Sequence, residues 1–474
     1  MQSNSKIKYP RIKESFIDKL KRYIVNMSAP RLIVLSFIII IFFGTLFLSL
    51  PISSRDREWT SIFDAFFASV SCVCVTGIIP VDTYCKYSLF GQFINILLIQ
   101  LGGLSLIVLT SGFILLFKGK MGVRHIIIAQ QYTSGNITDM YNLIKYILIF
   151  ASCFEGIGSV ILAIKFVPEY GFYGIWISLF TSISAFCNAG EVLFGFIEPF
   201  ANMNMYYNDP LVNMVVSVLV IAGGIGFLVM MELYTCLCNK IKGIERHPKL
   251  SLNTKVVLVF TAILLVTGTI IFYILENKNT LSGMSISDKI LVSFFNMMST
   301  RTAGFFTIYP DRLMKSTKIL MCVFMFIGAG PSSTAGGIKI TTLITILCTM
   351  TSVLRGYEDT IIMNRKINKQ TVYRSTAILL TYILVAVIGC ILIGLMEYDK
   401  VHNIMDIIFD VISCLSTCGL STGATAAFSR ISKIILMMIM FFGRVGPISL
   451  IFAIALNQEK KIKSVIPEGK IIVG

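Results

Sequence analysis

Apolar residues come in long blocks along this chain. Eight stretches, 32–50, 89–117, 146–166, 211–238, 256–275, 319–350, 377–395 and 434–456, approach or exceed the roughly 20 residues that carry a helix across a bilayer. Between the members of each successive pair runs a shorter apolar segment. It is TSIFDAFFASVSCVCVTGI after the first block, GIWISLFTSISAFCNAGE after the third, SDKILVSFFNMMSTRTAGF after the fifth and NIMDIIFDVISCLSTCGL after the seventh. Each reads as about a dozen helix-compatible residues, then Ser or Thr, then a short turn ending in Gly. A helix of about 13 residues rises only about 20 Å. That is too short to cross, so the pattern predicts four helices that dip into the membrane and return.

The terminal glycines are Gly77, Gly190, Gly304 and Gly419, at separations of 113, 114 and 115 residues (77 to 190, 190 to 304, 304 to 419). A nearly constant period, with each glycine between two spans, predicts four copies of one unit: span, re-entrant helix, glycine turn, span. The expected fold is an all-α polytopic membrane protein with four pseudo-symmetric repeats around a central pore. The divisions are an N-terminal segment 1–30, repeats at 31–130, 131–248, 249–365 and 366–459, and a tail at 460–474.

Irregular backbone at membrane depth is tolerated only where protein buries it or it lines a water-filled cavity. Four turns around one axis can aim backbone carbonyls inward to replace a cation's hydration shell, and glycine permits the positive φ this requires. The four turns are Val75-Thr76-Gly77, Asn188-Ala189-Gly190, Thr302-Ala303-Gly304 and Thr417-Cys418-Gly419. They share only the glycine, which fits coordination by carbonyls rather than by side chains.

Composition agrees with a membrane setting: 474 residues, 55% hydrophobic, 14% charged, mean hydropathy +0.80. The net charge of +16 would raise nucleic acid as a partner in a soluble protein. Its placement excludes that reading. Lysines and arginines cluster before the first block and after the second, fourth, sixth and eighth, a positive-inside pattern that puts both termini in the cytoplasm. The first 30 residues show no cleavable signal pattern, so no processing is expected. Twelve cysteines lie mostly in apolar runs, where a free thiol packs as a small hydrophobe. Cys72-Val-Cys74 and Cys236-Leu-Cys238 have metal-like spacing, but none of the three histidines, His125, His247 and His402, accompanies them.

One block is interrupted. GAGPSSTAGGIK (328–339) sets four glycines, a proline and three hydroxyl residues inside the 319–350 stretch. Pro331, Gly336 and Gly337 cannot sustain a helix, and Ser332, Ser333 and Thr334 can replace lost backbone bonds. The segment fits neither a dinucleotide fingerprint nor a phosphate-binding loop. A lipid-facing break is excluded, so this stretch is expected to face a cavity; a passive packing kink is the other reading.

Several stretches together carry a family resemblance. They are FDAFFASVSCVCVTG (63–77), LIQLGGLS (98–105), SISAFCNAG (182–190), KLSLNTKVVL (249–258), STRTAGF (299–305), GPSSTAGGIK (330–339), STCGLSTG (416–423) and FFGRVGPISL (441–450). The chain resembles the KtrB-type subunits of the Trk/Ktr/HKT superfamily of potassium transporters. A single span before the first filter turn is similar to the Ktr rather than the Trk branch. The resemblance implies a cell-membrane homodimer in which each subunit holds its own pore. It implies potassium uptake that often depends on sodium, with K+ and Na+ as the only bound species and no organic cofactor. It also implies a cytosolic ring of nucleotide-binding RCK domains of the KtrA type. The interrupted helix then forms a gate of Gly328, Gly330, Pro331, Ser332, Ser333, Thr334, Gly336, Gly337 and Lys339, with Arg444.

Charged residues inside apolar segments are costly and face the interior. Arg444 either sets a positive barrier below the filter or bonds loop carbonyls. Glu155 is expected as a buried hydrogen-bond partner, Arg301 as a brace of the third turn, and Asp64 and Asp410 as braces of nearby loops. Glu191 stands where the family has an aromatic residue. It concentrates cations at the mouth, pairs with a local cation, or disturbs packing behind the filter. Competing functions are a Trk-type or sodium-permeable cation transporter of the same superfamily, an alternating-access solute transporter, which would show inverted repeats, and a nonconducting scaffold. No ATP-hydrolysing motif is present, and none is needed for downhill cation flux. The protein is not expected to be an enzyme.

Overall fold

The structure is a computed structural model describing residues 27, 29–104, 137–243, 250–398 and 403–454. Most of the N-terminal segment, the C-terminal tail, the second half of the 89–117 block and all three histidines lie outside the described residues.

Helices follow in four successive groups. The first holds α1 (Ala29–Ser49), α2 (Ile62–Cys74) and α3 (Leu89–Gly103). The second holds α4 (Ile137–Tyr170), α5 (Phe172–Cys187), α6 (Pro210–Ile225) and α7 (Phe227–Ile241). The third holds α8 (Leu252–Glu276), α9 (Ile286–Ser299), α10 (Lys315–Phe326) and α11 (Ile340–Leu354). The fourth holds α12 (Lys369–Met396), α13 (Ile404–Ser416), α14 (Arg430–Val445) and α15 (Pro447–Ile454). One β-hairpin interrupts this helical order, β1 (Ile361–Ile362) with β2 (Arg365–Lys366). Met363 and Asn364 turn it at φ 47° and 62°, the two positive φ values that suit a tight hairpin.

The opening helix of each group, α1, α4, α8 and α12, contains a helix long and apolar enough to cross a bilayer. These four carry exposed side chains such as Phe42, Val160, Val266 and Leu384, an arrangement suited to lipid. In groups two, three and four the second helices are broken. The 211–238 block, expected as one span, bends by 100° between α6 and α7, where Gly226 takes φ 98°. The 434–456 block breaks between α14 and α15, where Gly446 takes φ 83° and Pro447 starts the next helix. The 319–350 block breaks as expected.

The short helices α2, α5, α9 and α13 sit at the centre, and packing around them is cyclic. α3 packs on α2 and α5, α6 on α5 and α9, α10 on α13, and α14 on α13 and α2. Each second helix thus reaches the next group's short helix, and the last returns to the first. Two fully buried carboxylates pin this frame. Glu276, ending α8, accepts from the Met314 amide at 2.9 Å, next to the start of α10. Glu397, just past α12, accepts from the Ser429 amide at 2.8 Å, capping α14. A carboxylate at a helix N-terminus offsets its orphan N–H groups and dipole.

Candidate ion pathway

Three of the four short helices end in the same way; in α9 the Ala303 amide instead donates to the Ser299 carbonyl at 2.9 Å. In α2 the Val75 amide donates to the Cys72 carbonyl at 3.1 Å and the Thr76 amide to Ser71 at 2.8 Å. The same pair recurs at Asn188 and Ala189, and again at Thr417 and Cys418, with the same distances. This is a Schellman ending, which needs a left-handed residue just past the helix. Val75, Asn188 and Thr417 supply it at φ 55°, 61° and 53°, and Thr302 takes φ 65° at the matching position of the third turn. Two positions later Gly77, Gly190, Gly304 and Gly419 take φ 81°, 71°, 77° and 97°. The four tripeptides therefore share two backbone positions, not the glycine alone. Sequence reading missed the first of these, because β-branched Val and Thr rarely adopt positive φ. Only Asn188 carried a signal.

The glycines also close a ring. A Cβ built on Gly77 would lie 2.0 Å from the Ala189 carbonyl oxygen, and one on Gly190 2.7 Å from that of Ala303. On Gly304 it would lie 2.7 Å from the Cys418 oxygen, and on Gly419 2.2 Å from the Thr76 oxygen. The order runs one to two to three to four and back to one. All twelve residues expected at the filter, Val75 to Gly77, Asn188 to Gly190, Thr302 to Gly304 and Thr417 to Gly419, are thereby brought to one place.

The ring has two faces. On the first, a cavity of about 330 Å³ is lined by the four glycines together with Asp82, Asp311 and the segments that follow each turn. Asp410 braces one of these segments, accepting from the Thr422 and Thr425 amides at 3.0 Å each and from Ser421 and Thr425 hydroxyls at 2.9 and 2.6 Å. Asp64 does not share this role. It lies in the first turn of α2, where a carboxylate meets the positive end of the helix, and no hydrogen bond from a described residue reaches it. Asn202, unforeseen, donates to the Gly190 carbonyl at 3.2 Å and accepts from the Phe306 amide at 3.2 Å.

The second face meets the break between α10 and α11. Gly330 and Thr334 amides donate to the Gly224 and Gly223 carbonyls at 2.9 and 3.2 Å, and the Phe227 amide to the Ser332 carbonyl at 3.0 Å. Within the loop, the Gly328 amide bonds the Ile338 carbonyl at 2.9 Å, Ser333 bonds Gly330 at 2.7 Å, and Gly337 turns at φ 68°. Pro331 seats its carbonyl against Gly226, where a Cβ would lie 2.3 Å away. Thr334 donates to Asn188 Oδ1 at 3.1 Å, and a Cβ on Gly336 would meet Thr417 Oγ1 at 2.1 Å. The loop therefore touches the turns of groups two and four directly. Gly102, Gly223 and Gly443 permit equally close approach to the ends of α2, α5 and α13, since a Cβ there would lie 2.1, 1.9 and 2.0 Å from the carbonyls of Val73, Phe186 and Leu415. In group three the corresponding contact is replaced by the loop itself, Gly328 against Gly336.

Two cations accompany the loop. Arg444 is buried and donates to the carbonyls of Thr334 and Gly102. Lys339 donates to the Ala335 carbonyl at 2.6 Å. Among the described residues neither pairs with a carboxylate. Arg301 donates to the Thr261 carbonyl of α8 at 3.4 Å and shares a small pocket with Ala329 of the loop. Glu155 accepts from Gln100 at 3.0 Å, a buried hydrogen-bond partner. The Cys72 thiol bonds Glu191 and Asn95, while Cys74 packs in the apolar core.

Comparison with known proteins places this geometry. The TrkH family, described as cation transport protein, matches residues 14–464. The chain is 33% identical to the Ktr system potassium uptake protein B of Bacillus subtilis, over 96% of this chain and 99% of that one. It is equally 33% identical to the potassium/sodium uptake protein NtpJ of Enterococcus hirae, with the same coverages of 96% and 99%. The crystal structure of the potassium transporter TrkH from Vibrio parahaemolyticus matches at a TM-score of 0.66 and 19% identity, covering 88% of this chain and 84% of that one. At that identity the likeness speaks for the fold.

Proposed function

The chain belongs to the TrkH family of cation transport proteins, and on that premise we propose that it is the potassium-translocating, channel-like subunit of a Ktr-type uptake system in the cell membrane. The closed ring of four backbone turns carries this reading. Its repeated left-handed residues and glycines let four unlike sequences present the same carbonyls to one axis, and a dehydrated cation needs such an oxygen-rich, equivalent surrounding. Buried hydroxyls of Thr76, Thr302 and Thr417 have no partner among the described residues and are free to turn toward an ion. The acidic cavity is the extracellular mouth, drawing cations in. An inside-negative potential supplies about 2.3 kcal/mol per 100 mV for each monovalent cation, so the subunit needs no ATP.

The loop face is the cytoplasmic side, with both termini on that side. There the 328–339 segment, held to groups two and four, blocks the path, and Arg444 ties it to group one while placing a positive charge beneath the filter. A cytosolic RCK ring of the KtrA type biases this closure, and the subunit works as a homodimer. Equal similarity to a potassium uptake protein and a potassium/sodium uptake protein favours a second reading, a monovalent cation transporter that also passes sodium. Growth rescue of a potassium-uptake-deficient strain at low potassium tests the first. Influx of K+ and Na+ into vesicles holding the purified chain, with and without its cytosolic partner, separates the two. No rescue at normal membrane levels would refute both.

A further inference from the structure

Resting on that reading, we infer that Glu191 is a positioning residue that sets the spacing of filter turns one and two and thereby the discrimination between K+ and Na+. The residues following the four filter glycines are Ile78, Glu191, Phe305 and Leu420. All four are buried, at 3%, 3%, 0% and 0% exposure. Three of them fill the space behind the filter with apolar atoms, and one does so with a carboxylate.

Burying a carboxylate is costly unless hydrogen bonds meet its oxygens, and the donors that meet Glu191 all belong to the neighbouring repeat. Cys72 Sγ donates to Oε1 at 3.3 Å. Thr83 Oγ1 donates to Oε2 at 3.3 Å. Cys72 lies just before the first filter turn and its carbonyl receives the Val75 amide at 3.1 Å. Thr83 lies just after that turn. One side chain of repeat two therefore grips both ends of the repeat-one filter segment, one oxygen at each. The grip stands directly behind the place where Gly77 meets the Ala189 carbonyl. Asn95 Nδ2 and Tyr87 Oη are buried without a hydrogen-bond partner among the described residues, and Asn95 Oδ1 accepts from the Cys72 thiol at 3.7 Å, so this corner gathers several polar groups. Glu191 also lines the mouth cavity, but at 3% exposure its two oxygens are taken up by Cys72 and Thr83, and no cation among the described residues pairs with it.

K+ and Na+ differ chiefly in the spacing of oxygens that suits them, so loosening one corner of the ring should act on their ratio before it acts on flux as such. The test uses the full chain in vesicles, with initial K+ and Na+ influx measured on the same preparations. Glu191→Leu, which copies Leu420, is expected to lower the K+/Na+ influx ratio about tenfold, the size associated with losing a hydrogen bond to a charged group. Thr83→Val should lower it several-fold, and Thr83→Ser, which keeps the hydroxyl, should restore it. The double variant Thr83→Val/Glu191→Leu should be no less selective than Glu191→Leu alone, because both changes break one link. Equal ratios in Thr83→Val and Thr83→Ser would overturn the inference, as would an unaltered ratio in Glu191→Leu. Should Glu191→Leu fail to fold, the threonine pair decides alone. A wild-type chain that passes neither ion would sink the transport reading itself, whereas one that passes both without K+ preference would overturn this inference and leave the sodium-permeable reading standing.

Discussion

At the filter, VTG, NAG, TAG and TCG take positive φ at the same two positions; on the opposite face α6 and α14 break at a single glycine and α10 at a loop. Gly226 bends α6 into α7, Gly446 separates α14 from α15, and the thirteen residues 327–339 part α10 from α11. On the proposed function, the contrast follows from what each layer must do. Coordination by carbonyls works only if the four contributors are equivalent, so departures there are confined to side chains. Closure needs one element that can move while the other three hold still. Groups one, two and four keep a glycine pressed on the end of a short helix, and group three alone gives up that contact for a loop.

If equivalence is the rule at the ring, the filter glycines should be the least tolerant positions in the molecule. Gly77→Ala and Gly419→Ala, whose Cβ atoms would lie 2.0 and 2.2 Å from a neighbouring carbonyl, are expected to lower K+ influx about 100-fold through overpacking and a disfavoured φ. Gly190→Ala and Gly304→Ala, at 2.7 Å, should lose less, about tenfold. Influx at equal membrane abundance measures this, and an identical loss at all four would break the ring geometry.

The loop should respond in the opposite direction. Replacing residues 332–336 with alanines, or deleting a few of them, is expected to raise influx per folded molecule about tenfold and to weaken its dependence on the cytosolic partner, because it destabilises the closed member of a two-state pair. Unchanged influx per folded molecule would leave a passive kink in place of a gate.

Arg444→Ala should raise influx about fivefold, since two unit charges about 4 Å apart repel by about 1 kcal/mol even at the dielectric of water. The hydrogen bond from Arg444 to Thr334 makes the two changes interdependent. Combined with the loop variant, the arginine change should add less than its single effect, which a double-mutant cycle on influx rates would show. Thr302→Ser is expected to do least, less than about twofold, because it keeps the hydroxyl and leaves the carbonyl column intact; a loss as large as that of Gly304→Ala would mean that side chains, not backbone, hold the ion.

Periodicity made the ring legible in advance. Four glycines at nearly constant spacing located the turns, and apolar blocks located the spans around them. The left-handed residue two places earlier was hidden, since Val75, Thr302 and Thr417 are β-branched residues that rarely take positive φ and are held there in buried turns. The breaks at Gly226 and Gly446 had a visible mark, the Gly-x-x-Gly pattern at 223–226 and 443–446, but unbroken hydropathy across both blocks outweighed it. Asp410 behaved as its place in a short helix suggested, and Asp64 did not. Similar sequence contexts left the difference to whichever loop folds back far enough to be held.

The way the ring closes also dictates when it can exist. Gly419 completes it against Thr76, and Arg444 joins Gly102, 342 residues earlier in the chain. At about 5–20 residues per second of synthesis, the first repeat waits roughly 17–70 s for its last neighbour. Throughout that interval the first turn stands with one flank uncovered, and hydrocarbon does not tolerate bare carbonyls and amides. The ribosome-bound intermediate must therefore be sheltered by the insertion machinery or by water. A chain halted after the third repeat, though it holds most of the hydrophobic mass, should be cleared by proteolysis rather than accumulate in the membrane.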